Sequence, residues 1–230
     1  YADLAVYVRV FLPNQVFVRT HQNKFSQAVN FNFNQWQNEK GFKEFASHFY
    51  NQTSFLIDRK IVRNGANFDL NPFSKEEDDL IGLNTNFRNS LFFNRGKQHH
   101  STTYSFLINE SQNLLSVGSI SAKNQSHQVQ YQHLVKKSWL FNLSGNSTKT
   151  ESNSENYPTR NFEIEGYQIE PKIGYLFSKN ASWDIFYEHQ QKKNQIGAFE
   201  TLTQNRFGTS FTFNSEKGFS MNGEFSMYNN

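Results

Sequence analysis

Between positions 161 and 228 the chain alternates apolar and polar residues through four extended segments of about ten positions each, the length and rhythm of strands that cross a membrane. In the segment 168–178, Ile169, Pro171, Ile173, Tyr175 and Phe177 share one phase and Gln168, Glu170, Lys172 and Gly174 the other. Side chains alternate across a strand, so the segment has one greasy face and one wet face. The next segment sets Trp183, Ile185 and Tyr187 against Ser182, Asp184 and Glu188, and the third sets Phe207, Phe211 and Phe213 against Arg206, Ser210 and Asn214. The fourth sets Phe219, Met221, Phe225 and Met227 against Ser220, Asn222, Glu224 and Ser226. A soluble strand averages about five or six residues, whereas a tilted strand needs roughly nine to eleven to cross a bilayer. The longer length predicts an all-β fold, an antiparallel transmembrane β-barrel built as a meander of hairpins. Ile169, Ile173, Tyr175, Phe177, Trp183, Ile185, Tyr187, Phe207, Phe211, Phe213, Phe219, Met221 and Phe225 are its expected lipid-facing residues.

The connections agree with this reading. Positions 178–181 and 214–218 are short, polar and rich in residues that tolerate turn dihedrals, as periplasmic hairpins are, while 190–200 is longer and charged. Upstream, 1–12 reads as a strand broken by Pro13-Asn14, with extended structure resuming over 16–19. Positions 28–37 alternate until Trp36 falls out of phase, as a bulge or an interfacial ring would. Over 42–61 the spacing of Phe42, Phe45 and Phe49 suits a short helix and Phe55 and Ile57 a strand; the β context favours strand throughout. The pairs Asn64-Gly65 and Asn71-Pro72 and the charge run 75–79 mark 63–79 as a long outer loop. Strands follow over 80–94, 101–110, 114–120, 125–135 and 137–145, with Arg95 to His100 at the first turn, and 146–160 reads as a second long loop. The total is about ten to twelve strands in one unit spanning 1–230, expected to be part of a larger barrel. No signal sequence precedes Tyr1 and no terminal aromatic closes the last strand, which reads as a piece of a longer protein.

Composition narrows the class. The 230 residues are 36% hydrophobic and 17% aromatic, yet the mean hydropathy is −0.74, a combination produced when each lipid-facing residue is matched by a polar one. No run approaches the roughly 18–20 apolar residues of a membrane-spanning helix; the longest, near 4–12, is interrupted by Arg9. With a net charge of +3 and dispersed basic residues, the footprint of a nucleic-acid binder is missing, and lipid is the expected partner. There is no cysteine, hence no disulfide scaffold and no thiolate metal site.

Candidate chemistry weighs less than the pattern. Glu76, Glu77, Asp78 and Asp79 with Asp69 upstream offer hard oxygen ligands, but without the spacing or turning glycine of a calcium loop, so no metal is expected. His127 and His133 share a strand face but lie about 20 Å apart at ~3.3 Å per residue, and adjacent His99 and His100 point to opposite faces if extended. His189 beside Glu188 and His100 beside Ser101 are the nearest approach to a catalytic pair, in a chain whose seven His and many Ser produce such neighbours by chance. No enzyme and no cofactor is expected. Triplets such as Asn51-Gln52-Thr53 and Asn180-Ala181-Ser182 arise by chance in a chain this rich in Asn and Ser.

Three stretches carry a likeness: Asn51-Gln52-Thr53-Ser54-Phe55 leading into Ile57-Asp58-Arg59-Lys60; 80–95 with Arg88-Asn89-Ser90-Leu91-Phe92-Phe93-Asn94-Arg95; and Tyr167-Gln168-Ile169-Glu170-Pro171. Over about three quarters of its length the chain resembles the C-terminal barrel portion of the large outer-membrane proteins of Bacteroidota. That resemblance implies the outer membrane of a Gram-negative bacterium and other outer-membrane or periplasmic subunits as partners. The expected function is a structural or channel-forming subunit of a transport, secretion or assembly complex. The barrel of a TonB-dependent nutrient transporter is the nearest alternative, and a soluble β-sandwich that binds glycans is the alternative from another class.

Overall fold

Long alternating segments separated by polar turns form hairpins, because each strand can satisfy its backbone groups only against a neighbour and the nearest neighbour is the next segment. The computed structural model describes residues 18–63, 71, 80–96, 99–116, 118–197, 199–215 and 218–229. Among them ten strands make one antiparallel sheet in strict sequence order. They are β1 (Thr20–Asn32), β2 (Phe49–Val62), β3 (Leu80–Phe93), β4 (His100–Leu115), β5 (Gly118–Val135), β6 (Trp139–Ser154), β7 (Phe162–Ser178), β8 (Ala181–Asn194), β9 (Thr201–Asn214) and β10 (Ser220–Asn229). The sheet is open: β1 pairs with β2 and β10 with β9, and the two edges do not meet. The meander is therefore present without closure.

Several sequence expectations need correction. Positions 42–46 form a helix, α1 (Phe42–Ala46), and the strand starts only at Phe49; Gly41 at φ 75° turns the chain into it, and Ser47 caps it by donating its hydroxyl to the Glu44 carbonyl at 2.6 Å. Trp36 lies in a 3₁₀ turn, Asn34–Trp36, which accounts for its lost phase, and β1 begins eight residues earlier than the alternation suggested. The stretch 114–120 is not a strand of its own: Leu114 and Leu115 end β4, and β5 begins at Gly118, which adopts φ 97° as the chain reverses. Nor is 146–160 a loop: β6 runs to Ser154, leaving 155–161 as the connection. Likewise β8 continues to Asn194, so the connection there is 195–200. The expected strand over 1–12, the acidic run and most of 63–79 lie outside the described residues.

Exposure alternates with the pleat in an inverted sense. Along β7 the apolar-phase residues from Tyr167 to Ile173 are exposed, while Gln168, Glu170 and Lys172 in the polar phase are half-buried and Gly174 is buried. The same holds on β8, where Trp183, Ile185 and Tyr187 are exposed and Asp184 and Glu188 half-buried. Side chains crowd on the inside of a bend, so the sheet curls toward its polar face. Ile57, Leu80, Leu83 and Phe186 are the buried hydrophobic residues among those described, far fewer than the exposed ones.

Two strand-interior residues fit this packing. Pro171 has no N–H to give, and the β7–β8 ladder lapses at 170–171 while resuming in the same register. Gly208 lies opposite Phe186 on the polar face, and a Cβ there would stand 2.5 Å from the Phe186 ring and 2.8 Å from the Phe225 carbonyl oxygen. Gly208→Val is expected to destabilise the β8–β10 corner by about 1–3 kcal/mol, the usual cost of overpacking, read as a lowered urea midpoint. An unchanged midpoint would show that Phe186 is not seated on Gly208.

Candidate functional site

Register decides which residues share a face. Tyr175 pairs with Trp183 and Trp183 with Phe211; Ile173 pairs with Ile185, Tyr187 with Phe207, and Phe213 with Met221. The same face carries Ile169, Phe177 and Phe225, and Phe219 immediately precedes β10 in the same phase, its ring 6.5 Å from Phe213. All thirteen residues expected to face lipid therefore lie on the convex side. The surface includes Trp139, Phe141 and Leu143 on β6, which alternation already set on one face of their strand, and register extends it to Val129 and Tyr131 on β5 and Tyr104, Phe106 and Ile108 on β4.

This apolar band does not follow the cross-strand rows. The row through Phe106, the middle of the band on β4, passes His127, Ser147, Tyr167 and Gln191 and reaches Thr203 on β9. On β9 the band is centred between Thr209 and Phe211, about seven residues further on. With a rise of about 3.3 Å per residue and a strand spacing of about 4.8 Å, the drift is about 23 Å over five steps spanning about 24 Å. A belt of constant height therefore requires strands tilted by roughly 45°. On β7 the belt runs from Tyr167 to Phe177, about 33 Å along the strand and about 24 Å tall at that tilt.

The belt has distinct margins. Trp139 packs edge-on against Tyr175 at 4.9 Å near one margin, and Trp183 donates its indole N–H to Thr209 at 2.6 Å. Tyr167 and Tyr187, at the other margin, share hydrogen bonds with His189 and Asn205. Beyond that second margin the convex face becomes charged. Glu110 opposes Lys123, and Lys149 is ringed by Glu163 at 2.5 Å, Glu151 at 3.3 Å and Glu165 at 3.4 Å. Hydrogen bonds to Glu163 foremost and then Glu151 hold the Lys149 ammonium above its ordinary pKa. One corner is covered rather than open: Ile57, Leu80 and Leu83 pack together, and Arg59 beside them is 2% exposed and donates to the Asn71 carbonyl at 2.9 Å.

The concave face is polar and divides in two. On β4, β5 and β6 it carries no charged side chain at all; the charges of these strands, Glu110, Lys123, Lys149 and Glu151, all project from the other face. Its amides and hydroxyls satisfy one another across strands, as Ser90 with Ser105 at 3.1 Å and Ser126 donating to Asn146 at 3.0 Å. On β7 to β10 the same face is charged. Arg206 donates to Glu188 at 2.7 and 2.9 Å, reaches Glu224 at 3.5 Å and lies 4.8 Å over the Phe186 ring, while Lys172 meets Asp184 at 3.7 Å. The sequence put Arg206, Glu188 and Glu224 in the polar phase, but only register brings the three together.

The histidine pairs separate as strand geometry requires. His189 is on the convex face and Glu188 on the concave one, and His100 and Ser101 likewise part, so neither makes a dyad. His127 contacts Tyr104 at 2.8 Å, whereas His133 faces His100 across the β4–β5 ladder with rings 6.2 Å apart, a juxtaposition hidden from the sequence. Among the described residues no three His, Cys, Asp or Glu side chains gather as a metal would need. No protein-family model matches the chain, and no curated protein or solved structure matches it either.

Arg206 and Glu188 are 25% and 15% exposed, so removing the cation strands a carboxylate in poor solvent. Arg206→Ala is expected to cost about 1.5–3 kcal/mol, and Glu188→Gln in that background to recover part of it. A double-mutant cycle by urea unfolding should give a coupling near 1 kcal/mol or more; zero coupling would contradict the pairing.

Proposed function

We propose that this sheet is a stretch of the wall of a transmembrane β-barrel in a Gram-negative outer membrane, acting as a structural or channel-forming subunit of a transport, secretion or assembly complex. The observation that carries the reading is the slanted apolar belt. Its tilt of roughly 45° and height of about 24 Å match the ~35–45° strands and ~25 Å lipid-facing band of such barrels. Its margins hold Trp and Tyr, the residues favoured at the headgroup level. A soluble sandwich would cover the belt with a second sheet, whereas all ten strands here belong to one sheet. No helix among the described residues is long and apolar enough to cross a membrane, which leaves strands as the crossing elements this reading needs.

Orientation follows from the ends. The connections 63–79, 155–161 and 195–200 lie at the end where the strands overshoot the belt with charged residues, and the turns at 179–180 and 215–219 lie at the other. The first end is the outer one in this reading, since long loops face outward and short turns the periplasm. It has one two-residue turn, β4–β5, and the periplasmic end has one long connection, 33–48, so loop length alone would not decide. In hydrocarbon the edge of β10, which pairs only with β9 among the described residues, needs a further strand, because each unsatisfied backbone group there costs several kcal/mol. A nutrient-transporter barrel shares all these features and differs in what fills it.

The chain has no cysteine, so single cysteines report each face cleanly. In phospholipid vesicles, Gln168→Cys and Ser210→Cys should react with a membrane-impermeant maleimide at least tenfold faster than Ile173→Cys and Ile185→Cys. Equal rates on the two faces, or a chain folded and monodisperse without detergent, would sink the proposal. Ile185→Arg should cost about 2–4 kcal/mol near the bilayer midplane.

A further inference from the structure

Four adjacent strands, β2 to β5, line a hollow of about 480 Å³ on the concave face, within the size range of small-molecule sites, roughly 300–1,000 Å³. Its wall is made of amides and hydroxyls, Gln52, Ser105, Gln128 and Gln130 among them, with a single charged group, Arg88. Arg88 makes no hydrogen bond or ion pair with the described residues. Among the described residues the nearest carboxylate along that face, Asp58, is four rows away, about 13 Å at ~3.3 Å per residue, and is engaged by Gln22 at 2.7 Å. Phe92 closes one end of the hollow; Tyr50 packs against it at 5.7 Å, and the Arg95 guanidinium lies 4.5 Å over Tyr50 and 4.8 Å over Phe92. A second cation thus stands at the mouth.

We propose that this hollow binds a small anion rich in hydroxyls, a sugar acid or a sugar phosphate. The guanidinium of Arg88 presents a planar fork that matches an oxyanion with two parallel hydrogen bonds. Each glutamine amide offers donors and an acceptor, the pattern that neighbouring hydroxyls need. The absence of any charge on the concave face of β4 to β6 means that no carboxylate on those strands competes with the anion for Arg88. On the charged half of the face, Lys172 and Arg206 are paired with carboxylates, which leaves them less available to an anion. The inference depends on the barrel reading only in that this face is then a lumen.

The test is titration calorimetry of the full chain in lauryldimethylamine oxide micelles, a detergent without sugar, using glucuronate, glucose 6-phosphate, glucose and inorganic phosphate. Glucuronate or glucose 6-phosphate should bind at least tenfold more tightly than glucose, and the stronger of the two identifies the anion. Arg88→Gln should abolish that preference, Arg88→Lys should keep part of it, and Gln128→Ala should weaken both sugars several-fold. Circular dichroism of each variant confirms that the sheet persists. Overturning results are no binding of any sugar, a preference that survives Arg88→Gln, or inorganic phosphate binding as tightly as glucose 6-phosphate. Vesicle insertion of the same preparation tests the barrel reading separately, since the concave face can bind whether or not the convex face meets lipid.

Discussion

The structure depends on one constraint: most of its large apolar side chains are on the outside of the curve, and the inside is lined mainly by polar ones. Burial of apolar area is the dominant favourable term in folding, about 25 cal/mol per Å², and here the protein supplies little to bury Trp183, Ile185, Phe207 or Phe225 against. What holds the sheet is the backbone ladder, continuous through nine antiparallel pairings, with cross-strand amide, hydroxyl and ion pairs on the concave face. In the proposed reading a lipid medium takes up the convex face, and the slant of the apolar belt across the register gives a height that matches a hydrocarbon core.

The same constraint organises the polar residues. Charges beyond the Tyr margin of the belt, Lys149 with its three glutamates and Glu110 with Lys123, sit where the convex face is no longer apolar. Inside the curve, charge is confined to the β1–β3 and β7–β10 flanks, with an uncharged wall between them. That division makes the concave face chemically uneven, and the unevenness is what gives Arg88 its setting.

Legibility in the sequence followed the same physics. β7 to β10 were readable because they lie deep in the belt, where alternation between Phe, Ile or Trp and Ser, Asp or Glu is sharp. β1 was half missed because Asn23 and Gln27 occupy its apolar phase, and the outer half of β6 was taken for a loop because 146–154 stands above the belt with both faces wet. The β4–β5 turn was read through because Leu114, Leu115, Val117 and Ile120 are apolar; Gly118, at positive φ, was the available signal. At α1 the spacing of Phe42 and Phe45 stated the helix, and β context wrongly overrode it. Of the candidate sites, the convex apolar rows were visible in single strands. The Arg206 cluster and the Arg88 hollow were not, since both arise from register between strands, which period-two alternation fixes only to a face.

Nitroxide depth scanning along the apolar phase of β4 and of β9 in lipid bilayers tests the central claim most directly. The tilted belt predicts that oxygen accessibility, relative to a water-soluble nickel chelate, peaks at Phe106 on β4 and between Thr209 and Phe211 on β9. Peaks at Phe106 and Thr203, members of one row, would mean strands that stand upright, and no oxygen-favoured positions on either strand would mean that the convex face does not meet lipid.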